Sequence, residues 1–153
     1  MVKNPWWAFA LSAWILLGGC GGGDGPAPCV VGECTEANTL CATLVAPEDF
    51  TGTPRQLMAL LFAEDPPAGP PAAILSMLED PAVGRDQCLN LEVILSITGA
   101  YYFYAALYME GGGATEPVAG VDYVAHGTGP ITADGSPINL GELTLELYQD
   151  PGP

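Results

Sequence analysis

Cys88-Leu89-Asn90-Leu91-Glu92-Val93-Ile94-Leu95-Ser96 decides the fold class. Leu89, Leu91, Val93 and Leu95 recur at every second position, separated by Asn90, Glu92 and Ile94. That period of two belongs to a strand with one face in a core. The same alternation returns where Leu143, Leu145 and Leu147 are interleaved with Thr144, Glu146 and Tyr148. Between these two stretches, Tyr101 to Met109 is apolar on both faces, which suits a central strand. Working outward, further strands are predicted at Leu40 to Ala46, Gln56 to Ala63, Val118 to Ala125 and Leu140 to Tyr148, with a short one around Pro130 to Ala133. Gly and Pro punctuate them at intervals typical of all-β domains. Pro71 to Glu79, ahead of Pro81, reads as the single helical candidate. Residues 39–153 are therefore expected to form an all-β, two-sheet antiparallel sandwich of six or seven strands with at most one short helix.

The run Gly99-Ala100-Tyr101-Tyr102-Phe103-Tyr104-Ala105, a Gly-rich loop, and then Pro117-Val118-Ala119-Gly120-Val121-Asp122-Tyr123 resembles the later strands of transthyretin-like, or prealbumin-like, sandwich modules. The likeness covers about a quarter of the chain. It implies a fold, and a role in attachment or stability, more than an activity.

The opening MVKNPWWAFALSAWILLGGC carries one cation, Lys3, then an apolar run from Trp6 to Leu17, then small residues up to Cys20. This is the order of parts in a secretory signal. The apolar run falls short of the roughly 20 residues a membrane-spanning helix needs. Leu17-Gly18-Gly19-Cys20 resembles the bacterial lipobox, which implies removal of residues 1–19 and lipidation of Cys20. Two or more acyl chains give stable anchoring where one is marginal. Gly21, in place of the aspartate that retains Gram-negative lipoproteins at the inner membrane, implies the outer membrane. Residues 20–38 then read as a Gly/Pro-rich tether with a cysteine-bearing lead-in.

Processing removes Lys3 and all three tryptophans, leaving Arg55 and Arg85 as the only cations against 18 carboxylates. Such a chain cannot neutralise phosphates, so nucleic acid is excluded as a partner. Anionic headgroups are excluded as a ligand of its surface for the same reason. The simplest reading of the acidity is a solvated surface charge.

Besides Cys20 there are four cysteines, Cys29, Cys34, Cys41 and Cys88, expected to form two disulfides in an exported protein. Three pairings are open. Cys29 with Cys34 across a short loop, plus Cys41 with Cys88, is the preferred set. Zinc is the weaker view, because there is no Cys-x-x-Cys and the one histidine, His126, lies far along the chain.

No catalytic residues are assigned. Ser76, Ser96 and Ser136 lack a Gly-x-Ser-x-Gly context, and His126, ahead of Gly127-Thr128-Gly129-Pro130, reads as a turn residue at a strand end. The doublets Glu48-Asp49, Glu64-Asp65 and Glu79-Asp80 suit solvated loop ends. Tyr102, Tyr104 and Tyr108 share one face of their strand, opposite Tyr101, Phe103 and Met109. Covered by Pro71 to Glu79 that face is core; open, it is a stacking surface for sugar or protein. Glu110, Glu116, Asp122 and Asp134 are oxygen donors on Gly-rich loops and form a candidate calcium set, the only cofactor considered. The expected function is a non-enzymatic envelope lipoprotein serving as a structural or interaction module. The alternative is a calcium-dependent or glycan- or protein-binding module, and the third reading is a hydrolase using a carboxylate pair.

Overall fold

The computed structural model describes residues 32, 34–85 and 87–150. The signal segment 1–19, Cys20, the tether and Cys29 lie outside the described residues. Within them the chain is all-β, with strands β1 (Thr39–Val45), β2 (Pro54–Phe62), β3 (Ala73–Glu79), β4 (Cys88–Ile94), β5 (Gly99–Met109), β6 (Tyr123–Ala133), β7 (Ile138–Thr144) and β8 (Glu146–Leu147). They form a three-stranded sheet, β4-β1-β7, and a five-stranded sheet, β3-β2-β5-β6-β8.

The two sheets close on one apolar core. Leu40, Ala42 and Leu44 of β1 and Leu91 and Val93 of β4 meet Leu57, Ala59 and Leu61 of β2 and Phe103, Ala105 and Leu107 of β5. The alternating leucines of β4 point inward, and Asn90, Glu92 and Ile94 point out, as their spacing dictates.

Four expectations need correction. Pro71 to Glu79 contains strand β3 rather than a helix. Leu75 and Leu78 both pack on the core because β3 carries a bulge, with Ile74 opposite Leu60 but Ser76 opposite Ala59. A bulge puts two residues against one, so a strand acquires the three-residue spacing of a helix. The strand expected at Val118 to Ala125 begins only at Tyr123, after a turn at Val118 to Asp122, and is continuous with the short one expected at Pro130 to Ala133 in a single strand, β6. Gly127-Thr128-Gly129 is a bulge within it, lying between the pairs Tyr104↔His126 and Tyr102↔Pro130. His126 is therefore a mid-strand residue. Third, β1 and β7 pair in parallel, while every other pair is antiparallel. Strands so distant in sequence need no hairpin, and β7 reaches β1 only after the chain has built most of the other sheet.

The fourth correction is the disulfide pairing. Cys34 is bonded to Cys41, with their Cα atoms 5.6 Å apart, and Cys88 is disulfide-bonded as well. Cys88 stands opposite Val45, four residues along β1 from Cys41, which at the rise of a strand is about 13 Å. That exceeds the roughly 7 Å within which Cα atoms can be bridged, so Cys41 and Cys88 cannot pair.

The facing of the sheets gives a direct test. Leu57→Ala, at a fully buried position, should cost about 2–5 kcal/mol. Ile94→Ala, at a side chain 79% exposed, should change stability by no more than about 0.5 kcal/mol. Urea unfolding of the two variants measures both, and equal losses would contradict the assignment of faces.

Candidate functional site

The outer faces of the two sheets differ in chemistry. On the three-stranded sheet the outward positions are Thr39, Cys41 and Thr43 of β1 and Asn90, Glu92 and Ile94 of β4, with the Thr43 hydroxyl bonded to Asn90 Oδ1 at 2.7 Å. Cys34 is stapled to Cys41 on this face, and Gly32 O accepts a bond from Asn139. On the five-stranded sheet, cross-strand rows read Met77-Met58-Ala106-Val124 and Ile74-Leu60-Tyr104-His126. These rows are almost wholly apolar, and β3, once expected to cover them, extends the same sheet at its edge. Ile74 and Met77 are each 56% exposed.

The rows, apart from Met77 at the β3 edge, floor an open groove of about 920 Å³. One wall is the Pro66–Pro71 loop that follows β2. The other is built by Thr115, Glu116 and Pro117, with Glu146 to Gln149 alongside. The walls stand at opposite ends of the strands, since Phe62 pairs with Tyr102 near one end of β5 and Gln56 with Tyr108 near the other.

Of the expected binding tyrosines, Tyr104 and Tyr108 line this groove, and Tyr102 shares their face beside Phe62. Tyr104 meets Phe62 edge-on at 5.5 Å between ring centres and lies tilted against His126 at 5.8 Å. Its hydroxyl donates to Asp65 Oδ1 in the β2–β3 loop. Burial, reinforced by that hydrogen bond and the Asp65 charge, pushes the Tyr104 phenol well above its ordinary value of 10.0. Tyr108 is fully buried. Its hydroxyl donates to Thr115 O at 2.9 Å, and the Arg55 guanidinium sits 6.0 Å from its ring centre while donating to Gly113 O. Burial raises this phenol too, aided by the Asp122 and Glu116 charges and opposed by Arg55.

The second wall depends on Asp122. Its carboxylate is 0% exposed and accepts three backbone hydrogen bonds, from Met109 N at 2.7 Å, Gly113 N at 2.8 Å and Val118 N at 2.7 Å. The end of β5, the following loop and the start of β6 are thus tied to one side chain. Gly112 must be glycine here, since a Cβ would stand 1.9 Å from Asp122 Oδ1. Tyr148 N donates to Asp122 O at 2.8 Å, bringing the C-terminal segment into the same wall.

The candidate calcium set is not assembled. Glu110 and Glu116 are exposed, Asp122 is spent on backbone N–H groups, and Asp134 lies beyond the far end of β6, where it accepts from Ser136 N. Eleven residues of β6 separate the two aspartates, about 35 Å at a strand's rise. Among the described residues no group of three or more His, Cys, Asp or Glu side chains gathers as a metal site would require. Hydrogen bonds from the Ser136 amide and hydroxyl hold the exposed Asp134 carboxyl below its usual range.

Sequence reasoning named the tyrosines but missed Met58, Leu60, Phe62 and Ile74, which supply most of the floor. The signal was present: Gln56 to Phe62 is apolar at almost every position, as Tyr101 to Met109 is, and a strand apolar on both faces needs cover on both. Compared with known proteins, the chain matches no family model, no curated relative and no solved structure.

Two outcomes follow from this geometry. Asp122→Ala should cost at least about 3 kcal/mol in urea unfolding, because three buried donors lose a charged acceptor together. A loss like that of an exposed site would refute its role. In ultraviolet titration two phenols, Tyr104 and Tyr108, should ionise late, and Tyr104→Phe should remove one of them while Asp65→Asn moves that one part of the way back towards 10.0. A phenol whose value is raised by folding stabilises fully below its ordinary value, and that stabilisation is lost as pH rises through the folded value. Alkaline unfolding should accordingly begin above pH 10.0 in the parent chain, and a parent without a late phenol would contradict the Tyr104 environment.

Proposed function

We propose that the chain is a non-enzymatic lipoprotein of the bacterial envelope, held at the outer membrane by lipid on Cys20, and that its sandwich is an interaction module. Its working surface is the outer face of the five-stranded sheet. The observation that carries this reading is the groove: an open apolar floor that includes Met58, Leu60, Phe62 and Ile74, with Ile74 and the adjoining Met77 each 56% exposed, on a molecule whose opposite face presents one exposed apolar side chain, Ile94, among Thr39, Thr43, Asn90 and Glu92. Contiguous exposed apolar surface rimmed by polar groups marks an interaction site. The resemblance to transthyretin-like attachment modules and to the lipobox supports the same assignment.

Four of the polar groups around the groove are engaged in building it. The Tyr104 and Tyr108 hydroxyls and the Asp65 and Asp122 carboxylates each hold a wall or a loop, which supports binding rather than turnover.

The test has two arms. Cys20→Ala should abolish palmitate labelling and detergent-phase partitioning, and persistence of both would sink the anchor. A photo-crosslinking residue at Met77 should yield a discrete adduct in intact cells, whereas one at Glu92, on the polar face, should not. Absence of an adduct at both positions would reject the interaction surface.

A further inference from the structure

We infer that the groove accepts a cationic amphipathic helix presented by a partner protein. This rests on the reading of the five-stranded face as an interaction surface, and it names the partner's chemistry. Two features converge on it, the shape of an apolar floor and the sign of the charge around it.

The floor spans the four strands β3, β2, β5 and β6, about 14 Å at the spacing of hydrogen-bonded strands. The walls lie beyond the Phe62↔Tyr102 and Gln56↔Tyr108 pairs, about 20 Å apart at a strand's rise, so a helix about 10–12 Å across fits between them with its axis running across the strands. The volume of about 920 Å³ corresponds to about two turns of a helix of that diameter. The β3 side is unwalled, and Ile74 and Met77 there offer contact to an apolar stripe entering across the strands.

The rim is acidic. Glu116 and Glu146 line the groove, Asp65 stands over Tyr104, and Glu79 closes the β3 edge beside Gln56. Arg55, the nearest cation, has its guanidinium committed to Gly113 O and the Tyr108 ring, and His126 is the only other base facing the floor. A cationic flank on the incoming helix meets these carboxylates while its apolar stripe meets the floor. A second copy of this chain fits poorly, because a chain of formal charge −15 repels its like.

The experiment uses the full chain in zwitterionic nanodiscs, with empty discs as blank, and a fluorescent leucine–lysine peptide patterned for one apolar helical face. Anisotropy should show saturable binding that weakens as salt rises from about 0.1 to 1 M and the screening length shrinks. The discriminating variant is Ile74→Glu with Met77→Glu, at side chains each 56% exposed. It makes the molecule more acidic, so attraction by bulk charge predicts tighter binding. Docking in the groove predicts binding weakened about tenfold or more, because charge now lies on the apolar floor. Glu116→Gln with Glu146→Gln should also weaken binding, and a leucine–glutamate peptide should not bind. Unchanged or tighter binding to the Ile74→Glu, Met77→Glu chain, or equal binding of the acidic peptide, overturns the inference. So does concentration-dependent self-association that these same substitutions abolish, which would assign the face to a second copy. A crosslink at Met77 in cells together with no peptide binding would reject the cationic helix while leaving the interaction surface standing.

Discussion

Strand β5 is apolar on both sides, and a sandwich of two sheets gives it cover on only one. Its inward side is satisfied by Phe103, Ala105, Leu107 and Met109 against the other sheet. Its outward side carries Tyr102, Tyr104, Ala106 and Tyr108, and the chain meets that constraint with tyrosines. Their rings supply apolar bulk while their hydroxyls reach polar partners at the margins. Tyr108 bonds Thr115 O and is roofed by Arg55, while Tyr104 bonds Asp65. Each bond recruits a loop, so the two ends of the outer face acquire walls and the middle stays open. The groove follows from how this strand solves its own burial.

The Asp122 wall adds a second dependency. A buried carboxylate is costly unless hydrogen-bonded, and Asp122 reaches that condition by gathering the amides of Met109, Gly113 and Val118. The loop is thereby folded around an acceptor rather than around a hydrophobic plug. That explains a glycine run at this point: Gly112 and Gly113 allow the backbone to approach the carboxylate and Glu116 O more closely than any Cβ would permit. A motif with the composition of a flexible metal-binding loop is thus a rigid one, ordered from inside by its own aspartate.

These particulars show where the sequence was legible. Strands with a strict period of two, β4 above all, could be read because alternation survives in any sandwich. The two-faced character of β5 was equally plain, and so was the shared face of its tyrosines. What failed to be legible was every place where a strand departs from its period. The bulge in β3 imitated a helix, and Gly127-Thr128-Gly129 in β6 imitated a turn, since both use the same residues for the same local reason. The disulfide pairing was illegible for another reason: it depends on register between β1 and β4, which composition does not encode. The carboxylates of the supposed calcium set looked alike in sequence, yet one is buried and three are exposed, and only topology assigns which.

The acidity of the chain gains a meaning from the open face. Edge strand β3 presents unpaired backbone groups beside Ile74 and Met77, the arrangement most prone to pairing with another chain. Prolines bracket it, with Pro70-Pro71 before and Pro81 after, and Glu79-Asp80 end it with charge. A formal charge of −15 then acts at longer range than either device, opposing the approach of a second copy before edge or face can engage. The same field that keeps the apolar face from its own kind lowers the barrier for a partner of opposite sign. Repulsion among copies and attraction of a cationic partner are therefore one property of the surface. A chain with this face and neutral charge would have to bury the face or assemble, whereas this one can leave it exposed.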